Sequence, residues 1–237
     1  MTQTITIAQR YCGPPETGNG GYVCGLLAEF IDGPALMRLQ EPTPLDVAME
    51  VRQAQSGVEL IRGAAVIATA RRAEVALAVP RAPDYAQAEA AARDYRGFKS
   101  HPFPHCFVCG PHRKAGDGLR IFPGKLAGTG MVASPWVPDA SLADSSGLVR
   151  PEFLWAALDC PGAFSFEVAE GTPVLLGELA ASISGRVKAG ERCVVIGWEL
   201  TRDGRRHYTG TALFSEAGEL RGLARATWFE MPLPDKT

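Results

Sequence analysis

Within FLWAALDCPGAF, residues 153–164, Asp159 is the sole charged residue. An unpaired buried carboxylate is costly, so an aspartate in such a segment needs either partners or a task. The task its type suggests is to activate or orient water as a general base. The alternatives are a surface position, or an acid tied to a nearby hydroxyl or backbone group. A second candidate is Asn19-Gly20-Gly21-Tyr22, which opens another apolar segment and holds the chain's only asparagine. Asn is a good helix cap and could equally touch a ligand. The glycines allow close backbone approach, and the unpaired N–H groups of a helix start can hold a developing oxyanion. Substrate binding and oxyanion stabilisation are therefore assigned to Asn19, Gly20, Gly21 and Tyr22, and catalysis to Asp159.

His101, His105, Cys106, Cys109 and His112 fall within twelve residues, and the CFVC spacing is that of a zinc knuckle. A second CxxC or HxxxH pair that would complete a tetrahedral set is missing from the sequence. The segment reads instead as a linker folded over the mouth or edge of a sheet, with its cysteines and Phe107 as small core residues. No metal and no cofactor are expected. Cys160 has no histidine at local spacing that would make it a nucleophile.

These residues must be placed by two similar sets of elements. GNGGYVCGLLAEFIDGP has a glycine entry, an apolar run of helical length and a Gly33-Pro34 stop. It is followed by strand-like ALMRLQEPTPL, DVAMEVRQAQ, VELIRGAAVIATA and EVALAVP. In the second half RPEFLWAALDCPGAFSF is the helix, with a kink or break expected at Pro161. After it come TPVLLGELAASISGRV, ERCVVIGWELTRDG, RRHYTGTALFSEAG and ELRGLARATWFEM, with hairpin signals at Asp203-Gly204 and Ala217-Gly218. RGAAVIATARRAEVALAV and YTGTALFSEAGELRGLARATW correspond as strand, break and strand. Between the halves DYAQAEAAARDYRGF reads as a short helix. Both main helices are apolar nearly all round, so each is expected to lie inside its own antiparallel sheet. The fold class is α+β, with domains at 1–85 and 116–237 joined by a linker at 86–115.

The 237 residues, 46% hydrophobic and 21% charged with a formal charge of −2, have an ordinary globular composition. A pI near 6.1 gives no electrostatic footprint for nucleic acid. The sequence has no apolar run of membrane-spanning length, and six cysteines without a secretory leader suggest reduced thiols and a cytoplasmic location.

NGGYVCGLLAEF resembles the helix-start motif of hotdog thioesterases, and FLWAALDCPGAF resembles the same helix carrying their acidic residue. CFVCGP…GDGLRIFPG is similar to a cysteine-rich lead-in of hotdog domains. Two such halves resemble the type II, double-hotdog acyl-CoA thioesterases. The resemblance implies two tandem hotdog domains, an acyl-CoA substrate and hydrolysis with Asp159 activating water; Ala28 stands at the matching place in the first half. It also implies a Gln and a Thr or Ser around that water. The chain has no Gln after Gln87, and Ser182 and Ser184 are the nearest hydroxyl candidates. A non-hydrolytic acyl-CoA or lipid binder and a hotdog hydratase or dehydratase are the other readings. A homo-oligomer of such chains is compatible with all of them.

Overall fold

The computed structural model describes residues 3–232. Eleven strands form one sheet: β1 (Gln3–Thr6), β2 (Ala35–Leu39), β3 (Ala48–Ala54), β4 (Gly57–Arg62), β5 (Ala65–Arg72), β6 (Gly124–Leu126), β7 (Met131–Trp136), β8 (Val174–Ile183), β9 (Cys193–Asp203), β10 (Arg206–Ser215) and β11 (Leu220–Glu230). The order is β1-β3-β4-β5-β2-β8-β11-β10-β9-β7-β6, with antiparallel neighbours throughout. The halves meet at β2 and β8, paired from Ala35–Ala181 to Arg38–Glu178, and an Arg38–Glu178 ion pair lies across that seam. In each half the strand after the helix is innermost, and the last strand of that half lies beside it. The repeat is therefore β2 to β8, β3 to β9, β4 to β10 and β5 to β11.

This corrects the correspondence read from the sequence by one strand. EVALAVP forms no ladder: Val75, Leu77 and Val79 instead pack on the outer face of the second half's sheet, against a cluster including Val194, Ile196 and Phe214. Their alternation records one-sided burial, which period-2 patterning shares with a true strand. The short strands β1, β6 and β7, toward the two ends of the sheet, carry too little pattern to be picked out in advance. The hairpins at Gly204 and Gly218 are as expected, both glycines having positive φ.

The two main helices lie on the inner face, and a third lies on the outer one. α1 (Gly20–Ala28) starts at Asn19, whose side chain accepts from the Tyr22 N–H, and it ends before Phe30 and Ile31. α2 (Tyr85–Arg93), which follows the first half in sequence, has an Asp84/Gln87 capping box, and its Ala88 and Ala91 join the outer cluster on the second half's sheet. The second-half helix breaks, as Pro161 requires, into α3 (Pro151–Ala157) and α4 (Cys160–Phe164). At the break the Gly162 N–H bonds to the Asp159 carbonyl, one residue short of the α-helical ladder. The freed Leu158 carbonyl accepts the Thr211 hydroxyl at 2.7 Å. Proline chemistry thus sets the backbone of the one residue, Asp159, that the apolar segment exposes to polar partners.

α1 and α3 touch backbone to backbone. A Cβ on Gly25 would stand 2.5 Å from Glu152 Cα, and one on Gly21 would stand 3.0 Å from both Ala156 Cα and the Trp155 carbonyl oxygen. Leu27, Phe153 and Leu158 of these helical segments share a core with Met37, Leu60, Leu179 and Leu213 of the strands. Each such fully buried side chain contributes roughly 1.5–3 kcal/mol. That burial holds α1 of one half against α3 of the other, and so fixes what faces Asp159.

Candidate active site

Asp159 is 2% exposed. Its Oδ2 accepts the Asn19 Nδ2–H at 2.8 Å and the Gly21 N–H at 2.9 Å. Its Oδ1 is buried and has no hydrogen-bond partner among the described residues. Burial pushes the carboxyl from 3.8 up to about 7; the Gly21 N–H and the Asn19 amide oppose the rise and Cys106 adds to it. One oxygen is thus anchored to the start of the other half's helix, while the second waits for a donor.

Gly21 makes this approach possible, because a Cβ there would lie 2.5 Å from Asp159 Cβ. The same contact consumes its N–H, so Gly21 has no donor left for a substrate oxygen. The Tyr22 N–H is taken by Asn19 Oδ1 and the Val23 N–H by the Asn19 carbonyl. The Gly20 N–H, which donates to none of the described residues, is the donor that α1 leaves available. Asn19 caps the helix with its oxygen and holds Asp159 with its nitrogen, so two alternatives open in the sequence are combined in one side chain.

A cavity of about 80 Å³ borders Asn19, Gly20, Asp159, Phe164, Leu176 and Trp228. Tyr22 points away from it, into a stack with Tyr11 (ring centroids 4.2 Å apart) and Phe153 (5.6 Å). Ser182 pairs with Leu223 on β11, and the Ser184 hydroxyl donates to the Leu220 carbonyl; neither borders the cavity. Two hydroxyls of β10 hold residues around the site without bordering the cavity themselves. Thr211 holds the Leu158 carbonyl, and Thr209 accepts the Trp228 indole N–H at 3.2 Å. Their inward alternation on a strand was the available signal, but nothing in the sequence aligned that strand with the break in the helix.

The linker enters the same region. Phe107 is fully buried against Tyr11, Tyr22 and Phe153, inside the helix core rather than at a sheet edge. Cys106 Sγ lies 3.8 Å from both Asn19 Nδ2 and Cys160 Sγ. His101 Nε2 is 3.4 Å from Cys109 Sγ, so the nearby histidine addresses a thiol and not Asp159.

No family model matches the chain, and no curated protein does. Among solved structures it is similar to the acyl-CoA thioesterase II TesB2 from Mycobacterium marinum, with a TM-score of 0.60 and 15% identity over 99% of this chain and 94% of that one. It is also similar to a tesB protein of Mycobacterium avium subsp. paratuberculosis, with a TM-score of 0.58 and 12% identity over 97% and 92%. The chain has the hotdog fold. At these identities the likeness is one of architecture. The hotdog sheet explains why α1 and α3 can cross with no strand between them, and why Asp159 and Asn19, 140 residues apart, share a hydrogen bond. Among the described residues no helix is long and apolar enough to cross a membrane.

Proposed function

We propose that the chain is an acyl-CoA thioesterase built from two tandem hotdog units, 1–85 and 116–237, joined by the linker 86–115. The observation that carries this reading is the divided state of the Asp159 carboxylate. Oδ2 is fixed by Asn19 and Gly21, while Oδ1 is buried without a partner beside a cavity that also borders Gly20. A buried acceptor left unpaired costs stability, and a water bound to Oδ1 would satisfy it. In the reaction, that water attacks the thioester carbonyl carbon while Oδ1 takes its proton. The Gly20 N–H stabilises the oxyanion. Collapse then breaks the C–S bond, and the departing CoA thiolate recovers the proton from Asp159. Three adjoining reduced thiols suit a reducing, cytoplasmic compartment.

A second reading, a non-catalytic acyl-CoA or lipid binder, draws on the sparseness of the site. Among the described residues Asn19 is the only side chain that hydrogen-bonds Asp159, without the Gln and hydroxyl companions the resemblance implies. A hydratase has less support, because His101 is turned to Cys109. Incubation with short, medium, long and aromatic acyl-CoAs, following free thiol, separates these readings. Thiol release is expected, with kcat reduced about 10²–10⁴-fold in Asp159→Asn. Saturable binding without release would support the binder and overturn the hydrolase. Release undiminished in the variant would remove Asp159 from the chemistry.

A further inference from the structure

The Sγ atoms of Cys106, Cys109 and Cys160 all lie within 4.8 Å of one another, and all three residues are buried. Two come from the CFVC turn of the linker. The third, 54 positions after Cys106, is the first residue of α4. Such a trio is poorly explained as packing, since three neighbouring thiols have few acceptors to share. It suits a metal closely: thiolates held tetrahedrally about 2.3 Å from a zinc ion stand roughly 3.8 Å apart, the separation of Cys106 and Cys160 Sγ.

Hydrogen-bond donors face the sulfurs of the trio. Backbone N–H groups of Cys109 and Val108 face the Cys106 sulfur. The Asn19 amide also faces that sulfur. N–H groups of the CxxC turn directed back at its first sulfur are supporting contacts that ligand sulfurs need. His101 completes the surround: Nδ1 accepts the Phe103 N–H at 2.9 Å, so the neutral ring carries its proton on Nε2 and donates it toward Cys109 Sγ. His101 is thereby a donor to a ligand sulfur, and the fourth coordination position is left to water from the cavity that borders all three cysteines.

We propose that Cys106, Cys109 and Cys160 bind a thiophilic divalent cation, zinc by its ligand chemistry, which fastens the linker to the start of α4. Because Cys106 touches Asn19 and Cys160 follows Asp159, the ion also steadies both ends of the Asn19–Asp159 contact. The expectation from sequence spacing that no metal binds rested on the lack of a second local pair, and α4 supplies the missing thiol from across the fold.

Metal analysis of the full chain, purified under reducing conditions without chelator, should find close to one equivalent of zinc. Cys160→Ser and Cys106→Ser should lose it, and Cys193→Ser, a buried cysteine on β9 outside the trio, should keep it. Should the cluster variants fail to fold, the wild-type chain still decides the matter. Stripped by chelator in reductant and given Co²⁺, it should develop thiolate-to-cobalt charge-transfer absorption and intense visible bands that Zn²⁺ then abolishes. Absence of both zinc and a cobalt spectrum would overturn the proposal. So would full metal retention in a folded Cys160→Ser, or a count in denaturant without reductant showing two of the six thiols lost to a disulfide.

Discussion

Asn19 links helix start to carboxylate, and its two functions can be separated by substitution. Asn19→Ala removes both the cap and the Nδ2 donor, with an expected loss of about 1–3 kcal/mol in urea unfolding. Asn19→Asp retains a capping oxygen but sets a second carboxylate against Asp159, so it should disable thioester turnover by more than its loss of stability explains. Equal turnover in Asn19→Asp and wild type would show that the Nδ2 contact is dispensable. Glu152 offers a pH test of a different kind. It is buried, Oε1 lies 3.3 Å from Arg150 Nε, and Oε2 has no partner among the described residues. Burial, only partly offset by its own backbone N–H and Arg150, pushes its carboxyl above the usual 4.5. An acid whose folded value is raised is best tolerated protonated, so its contribution is full below the unfolded value and is lost as pH rises through the folded one. Glu152→Gln should therefore gain stability over wild type as pH increases from 4 to 8; a difference constant across that range would contradict the burial argument. Residue types alone exposed Asp159, Asn19 and Gly21, because a charge in an apolar run and a lone Asn before paired glycines are anomalies visible in one dimension. Cys160 as a partner of CFVC was not visible, since only the fold brings it there.

At the scale of elements, the helices were more legible than the strands. α1, α2 and the break at Pro161 follow from caps, length and proline stereochemistry, all local properties. EVALAVP misled because packing on the outer face imposes the same alternation as a strand without any hydrogen-bonding neighbour. Gly25 shows what local reading misses: it looks like a weak point in α1, yet its missing side chain lets α1 lie directly on α3. Gly25→Ala adds helix propensity but places a methyl 2.5 Å from Glu152 Cα and 2.8 Å from its carbonyl oxygen. Overpacking of this kind costs about 1–3 kcal/mol, more than the propensity gained. Thermal denaturation should show a lowered midpoint. An unchanged or raised midpoint would mean that the helices separate freely, and that the Gly21–Asp159 contact has no rigid frame behind it.

Across the whole molecule, the two halves share one sheet through β2–β8, one helix core through α1–α3 and one candidate site through Asn19–Asp159. Two units joined only by a linker would have separate stabilities, but here each half lacks a neighbour for its innermost strand when the other unfolds. The distribution of tryptophan makes this testable without truncation. Trp136, Trp155, Trp198 and Trp228 all belong to the second half, so tryptophan fluorescence reports that half, with Trp155 also sensing its contact with α1, whereas far-ultraviolet circular dichroism reports strands of both. If the shared seam governs stability, urea transitions followed by the two probes should coincide, the signature of a single cooperative unit. Leu36→Pro would deepen the test. It places a proline in β2, where the strand is paired on both sides to Arg71 and Ala180, and it should shift both transitions together although the substitution lies in the tryptophan-free half. A circular dichroism transition that moves while the fluorescence transition stays would show that the second half stands by itself, and that the site assembled between the halves depends on docking rather than on folding.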